Sequence, residues 1–133
     1  MITTMKPPIL RPHPASEFFI EERCHILELS NDDSDPEMSI ARARVEPGVT
    51  TRWHRVRDIV ERYVILDGVG RMEVGDWPAQ EVQAGDVVMI PPSVRQRITN
   101  VGDSDLVFLA ICTPRFRPEA YEEVEGHSPA GNE

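Results

Sequence analysis

Two side chains that can hold a proton or a metal ion stand close together in GVTTRWHRVRDIVERYVILDG, residues 48–68: the imidazole of His54 and the carboxyl of Glu61. A third polar side chain, Gln96, sits in GDVVMIPPSVRQRITN, residues 85–100. Pro47-Gly48 and Asp67-Gly68 read as turns, and between them lie a short extended run ending on His54, a charged loop and a strand carrying Glu61. An imidazole nitrogen and a carboxylate oxygen delivered on neighbouring strands can converge on one point inside a barrel. There they could ligate a divalent ion or pass a proton.

The strands that position these groups also decide what accompanies them, because side chains alternate between the two faces of a strand. Glu61 shares a face with Tyr63 and Ile65, so an inward Glu61 brings a phenol with it and makes Tyr63 a candidate catalytic partner. By the same parity Thr50, Arg52 and His54 share a side, and Arg52 becomes a candidate for holding an acidic substrate. Gln96, Ile98 and Asn100 form one face of RQRITN. Further back, the second half of FFIEERCHILEL reads as a strand with Cys24, Ile26 and Glu28 on one face and His25, Leu27 and Leu29 on the other. His25 is a second candidate for substrate binding, weighed against the plainer reading of a satisfied histidine on an apolar face. Ala41, Ala43 and Val45 alternate with Arg42, Arg44 and Glu46, and DLVFLAIC is a run apolar enough for a central or inter-subunit strand.

Seven of these positions resemble the two motifs of the cupins, G-x5-H-x-H-x(3,4)-E-x6-G and G-x5-P-x-G-x2-H-x3-N. Gly48, His54, Glu61 and Gly68 fall on the first, and Gly85, Pro91 and Asn100 on the second. Val56 stands where the first motif has its second His, Ser93 where the second has Gly, and Gln96 where it has His. The resemblance implies an all-β, jelly-roll barrel of the double-stranded β-helix type over roughly residues 38–113. With the flanking composition it divides the chain into a Pro-rich arm (1–16), one barrel domain (17–113) and a tail (114–133) carrying a turn of helix at PEAYEEVE.

The resemblance further implies that His54 and Glu61 take the places of two of the family's four metal ligands and Gln96 that of a third. Such a donor set suits Fe, Mn, Ni or Zn. The implied partner is a small oxygenated organic molecule, an acid if Arg52 points inward, and dioxygenase, isomerase, decarboxylase and lyase chemistry all stay open. The alternative is a barrel without metal or catalysis that binds a small molecule or serves structure, in which His54, Glu61 and Gln96 form an internal hydrogen-bond network.

Composition narrows the partners. Fourteen Lys and Arg against twenty-three Asp and Glu give a formal charge of −9, the wrong sign for a phosphate backbone, so nucleic acid is not expected. No apolar run reaches the ~18 residues that span a bilayer, and the N-terminus lacks the apolar core of a secretion signal, so a cytoplasmic protein with no membrane partner is the expectation. Cys24 and Cys112 match no paired metal spacing and read as reduced, buried residues. A homodimer is expected, built through the Pro-rich arm or DLVFLAIC, because open sheets of this size leave edges and apolar faces to cover.

Overall fold

The computed structural model describes residues 8–125. Eleven strands follow one another: β1 (Phe18–Ile20), β2 (Cys24–Ser30), β3 (Ser39–Val45), β4 (His54–Val56), β5 (Val60–Asp67), β6 (Val69–Val74), β7 (Gln80–Gln83), β8 (Val87–Ile90), β9 (Gln96–Asn100), β10 (Leu106–Thr113) and β11 (Tyr121–Glu123). Single 3-10 turns at Pro14–Ser16 and Pro118–Ala120 are the helical segments. The strands form a six-stranded sheet in the order β1-β2-β3-β10-β5-β8 and a five-stranded sheet in the order β11-β4-β9-β6-β7, all pairs antiparallel. This is the two-sheet jelly-roll barrel expected from the sequence. No helix among the described residues is long and apolar enough to cross a membrane.

Alternation decides what the sheets enclose. From Val60 to Ile65 the burial pattern of β5 is two-fold, with Glu61, Tyr63 and Ile65 buried between partly exposed Arg62 and Val64. Across the sheet, Phe108 pairs with Ile65 and Ala43, and Leu106 with Val45. These inward rows meet Met72, Val74, Val82 and Ile98 of the other sheet in a single core. Phe108 is 1% exposed, a burial that favours the folded state by about 2–3 kcal/mol. Strand β10 is central as its composition suggests, although its outer residues Val107, Leu109 and Ile111 are only partly covered.

Turn chemistry sets the registers. Gly68 sits between β5 and β6 at φ +90°, and a Cβ there would lie 2.7 Å from the Asp105 carbonyl oxygen. Only glycine fits that approach. Asn100 closes β9 by donating from Nδ2 to the Val45 and Ser104 carbonyls while its Oδ1 accepts from Gly102 N–H.

Within the stretch 114–133 read from sequence as a tail, residues 114–125 return to the barrel, and the remainder lies outside the described residues. Ala120, with Phe116 packed beside it, joins a small cluster with Val56, Ile59 and Cys112, and β11 then pairs with β4 through Tyr121–Val56 and Glu123–His54. The apolar residues that drive this return are spaced too widely to show a strand period.

Candidate functional site

His54, Glu61 and Gln96 all point into the barrel, and the structure divides them between two small networks. In the first, Tyr63 Oη donates to Gln96 Oε1 at 3.0 Å and Gln96 Nε2 donates to Glu61 Oε1 at 2.7 Å. The other carboxylate oxygen of Glu61 accepts from the thiol of Cys112 at 3.9 Å. The second network joins His54 to Glu22. His54 Nδ1 lies 2.8 Å from the Arg52 carbonyl oxygen, which can only accept, so Nδ1 carries a proton. Nε2 is then turned to Glu22 Oε2 at 3.5 Å, with the Tyr121 ring stacked over the imidazole at a centroid distance of 5.3 Å.

Burial sets the electrostatics. Glu61 is deep in the barrel, and loss of hydration pushes its carboxyl up to about 7. The His54 imidazole opposes that shift and the Glu22 carboxylate reinforces it. The phenol of Tyr63 is raised well above its ordinary range by the same burial and by Glu61. Cys24 and Cys112 are free, buried thiols held protonated by desolvation and by neighbouring carboxylates. They are poor nucleophiles in this setting.

Arg52 and His25 do not join the networks. Arg52 donates from Nε to the Glu21 carbonyl at 2.7 Å and reaches Glu123 and Glu125 at 3.7 Å, so its guanidinium is engaged by the β1–β2 turn and by acids near β11. The parity that grouped it with His54 assumed one continuous strand, whereas β4 begins only at His54. His25 pairs across β2 and β3 with Arg44, one residue out of phase with the inward pair Ile26–Ala43. It therefore faces outward, bonded to Glu46 at 2.7 Å and packed edge-on to Phe19.

Glu22 is the member of the site that sequence reasoning missed. It lies in the turn between β1 and β2, inside the charged triplet EER that resembles a solvated loop. Its position is fixed by a long-range contact, the Arg52 N–H bonding to the Glu22 carbonyl. No local signal announces that.

The donors do not fit the expected metal set. A Gln ligand must offer its carbonyl oxygen, yet Gln96 gives that oxygen to Tyr63 and turns its NH2 toward Glu61. Val56, at the place of the motif's second His, buries an aliphatic side chain. Among the described residues no group of three or more His, Cys, Asp or Glu is arranged to hold a metal ion. What the arrangement supplies is a buried carboxyl on an amide, a phenol, and an imidazole facing a second carboxylate, a set suited to proton transfer.

Comparison with known proteins supplies the wider setting. The model of the cupin domain matches residues 41–112, more than half of the chain. An uncharacterized protein of Methanocaldococcus jannaschii is 36% identical over 87 residues, which is 65% of this chain and 69% of that protein. Oxalate decarboxylase OxdC of Bacillus subtilis is 29% identical over 106 residues, 77% of this chain, and the match spans only 26% of the decarboxylase. Among solved structures, a His-to-Gln variant of Streptomyces Pac13 with uridine superposes with a TM-score of 0.74 at 16% identity, covering 94% of this chain and 97% of that one. Pac13 is described as a nucleoside dehydratase. At that identity the likeness is one of fold.

Proposed function

The chain belongs to the cupin family, and from that premise we propose that its barrel performs metal-independent acid–base chemistry on a small oxygenated organic molecule. The observation that carries the reading is the engagement of Gln96, whose amide is committed to Glu61 on one side and to Tyr63 on the other. That commitment converts the ligand position of the motif into a hydrogen-bond bridge.

In this reading Glu61 is the proton carrier. A carboxyl at about 7 is divided between its two protonation states at neutral pH, the condition that serves a general acid or base best. His54 is the second group. Its Nδ1–H is fixed on the Arg52 carbonyl, so Nε2 takes or returns a proton, and Glu22 stabilises the imidazolium that forms. Two proton-handling groups in one low-dielectric interior suit elimination of water or isomerisation about a carbonyl, in which one proton leaves carbon and another reaches oxygen. The dehydratase activity described for Pac13 is chemistry of this kind and agrees with the reading.

The test uses protein dialysed against chelator, in D2O, with uridine and a panel of two- to four-carbon hydroxy and keto acids followed by proton NMR. Deuterium entering a carbon position, or loss of water, in the chelated protein is the expected result, slowed roughly 100-fold or more in His54→Gln and in Glu61→Gln. Turnover that appears only when a divalent ion is added, or that persists in both variants, overturns the reading.

A further inference from the structure

On the inner face of the six-stranded sheet, one row of side chains is open to solvent between two rows that are closed. Ala43, Phe108 and Ile65 make one closed row, each at most 2% exposed, and Ser39, Cys112 and Glu61 the other, each at most 8%. Between them Glu28 stands opposite Ala41, Ala41 opposite Ala110 and Ala110 opposite Tyr63. Ala41 and Ala110 lie on central strands and share the inward faces of Ala43 and Phe108, yet both are only partly buried. A methyl group is all that either strand puts into that space, whereas Ala43 has Phe108 beside it.

The open row is a slot with a mouth and an end. Three strand spacings separate Glu28 on β2 from Tyr63 on β5, roughly 14 Å. At the mouth Glu28 is exposed, although the protein around it thins its hydration enough to raise its carboxyl above the ordinary value. Asn31 donates to one of its oxygens at 3.4 Å. At the inner end Ala110 adjoins Tyr63, and Cys112, the next inward residue of β10, adjoins Glu61. The strands turn no guanidinium toward this space, since Arg42, Arg44, Arg55, Arg62, Arg71 and Arg97 all alternate to the outer faces.

We propose that the substrate of this barrel lies in the slot over Ala41 and Ala110, entering past Glu28, and that it is a small uncharged molecule bearing hydroxyl groups. The two alanines are the residues that set its width. Entering the slot strips a ligand of water, and a charged group loses most by that. A carboxylate is in addition repelled by Glu28 at the mouth and by Glu22 beside His54. A hydroxyl gives up least and donates to a carboxylate. What happens at the inner end rests on the acid–base reading of Glu61 and His54, while the slot is read by binding and melting, neither of which needs turnover.

The experiment uses the full chain with carbon-13 in its alanine methyls, titrated with propane-1,2-diol, lactate and 1-aminopropan-2-ol. The diol shifts the Ala41 and Ala110 methyls saturably, with Kd on the order of 10 mM for so small a molecule, and leaves Ala43 unmoved. Lactate binds at least roughly fivefold more weakly, and Glu28→Gln narrows that gap. Melting supplies a test without ligand. Ala41→Val and Ala110→Val place methyl groups into the slot on residues suited to strands, so the melting temperature holds or rises and the diol no longer shifts the remaining alanine. Ala43→Val, in a closed row, overpacks and melts at least about 3 °C lower. An equal loss in all three valine variants overturns the proposal by showing the row filled. So do Ala41 and Ala110 methyls that the diol leaves unmoved, and tighter binding of lactate or of the amine than of the diol. Diol binding in a protein without turnover upholds the slot and counts against the acid–base reading alone.

Discussion

Gln96 donates its amide N–H to Glu61 across the interior of the barrel at 2.7 Å, tying β9 of one sheet to β5 of the other. The bond satisfies one carboxylate oxygen and leaves the second against a thiol 3.9 Å away. A buried carboxylate with a single good donor is poorly solvated. Its protonation state is therefore coupled to folding.

Because the Glu61 carboxyl is pushed up from 4.5 to about 7 in the fold, the folded state holds a proton that the unfolded chain has released between those values. Stability is full below about pH 4.5, falls as pH rises toward 7, and is flat above, with about 3 kcal/mol lost across the window. Glu61→Gln removes the titration and keeps an acceptor for Gln96. Urea unfolding at pH 8 is expected to find the variant more stable than the parent by about 2 kcal/mol, with the advantage gone at pH 5. A parent whose stability from this site is unchanged between pH 5 and 7.5 would contradict the argument.

Tyr63→Phe probes the other half of the bridge. The ring keeps its place against Phe108, 4.2 Å between centroids, while Gln96 Oε1 loses its donor in a buried setting. A buried carbonyl left without a partner costs about 1–3 kcal/mol. The unfolding free energy extrapolated from urea should fall by that amount, with a lower midpoint and an unchanged slope, the sign that compactness is unaltered.

Two motif glycines with similar backbones are expected to respond differently to the same change. Gly48 has φ +79° with nothing within 4 Å of a would-be Cβ, whereas Gly68 at φ +90° has the Asp105 oxygen at 2.7 Å and Leu106 Cα at 2.9 Å. Gly48→Ala therefore meets conformational strain only, about 1–2 kcal/mol. Gly68→Ala adds a clash with backbone that cannot yield, and about 3 kcal/mol or more is expected by thermal unfolding.

How much of this was legible follows from where each residue sits. Glu61, Tyr63 and Ile65 could be placed on one inward face because β5 alternates regularly from Val60 to Ile65, long enough for its two-fold period to show. Arg52 could not, since the chain from residue 51 to 53 is irregular and the period has no meaning there. Glu22 reaches the site through a turn whose Arg23 takes φ +77° and through a bond to residue 52, neither of which leaves a mark within a few residues of it. The spacing of Gly48, His54, Glu61, Gly68, Gly85, Pro91 and Asn100 announced the barrel. Spacing alone said nothing of which way the Gln96 amide would turn, because that depends on a phenol thirty-three residues away.

The last prediction concerns the two departures from the family's metal motif. Val56 is buried on β4, two residues beyond His54, and Gln96 pairs directly with His54 across β4 and β9. An imidazole at each place would face the interior beside His54 and Glu61, giving three nitrogens and a carboxylate oxygen. Such a set outcompetes the hydrogen-bond bridge, because Gln96 no longer holds Glu61 or receives Tyr63. Val56→His with Gln96→His, reconstituted with Zn, Mn, Ni or Fe and freed of loose ion, is expected to retain near-stoichiometric metal by elemental analysis and to melt higher with the ion than without it. The parent chain treated identically is expected to retain little and to show no metal-dependent melting shift. Stoichiometric metal in the parent, lost in His54→Ala, would mean that the Gln96 amide turns to ligate and that the barrel is a metal site after all.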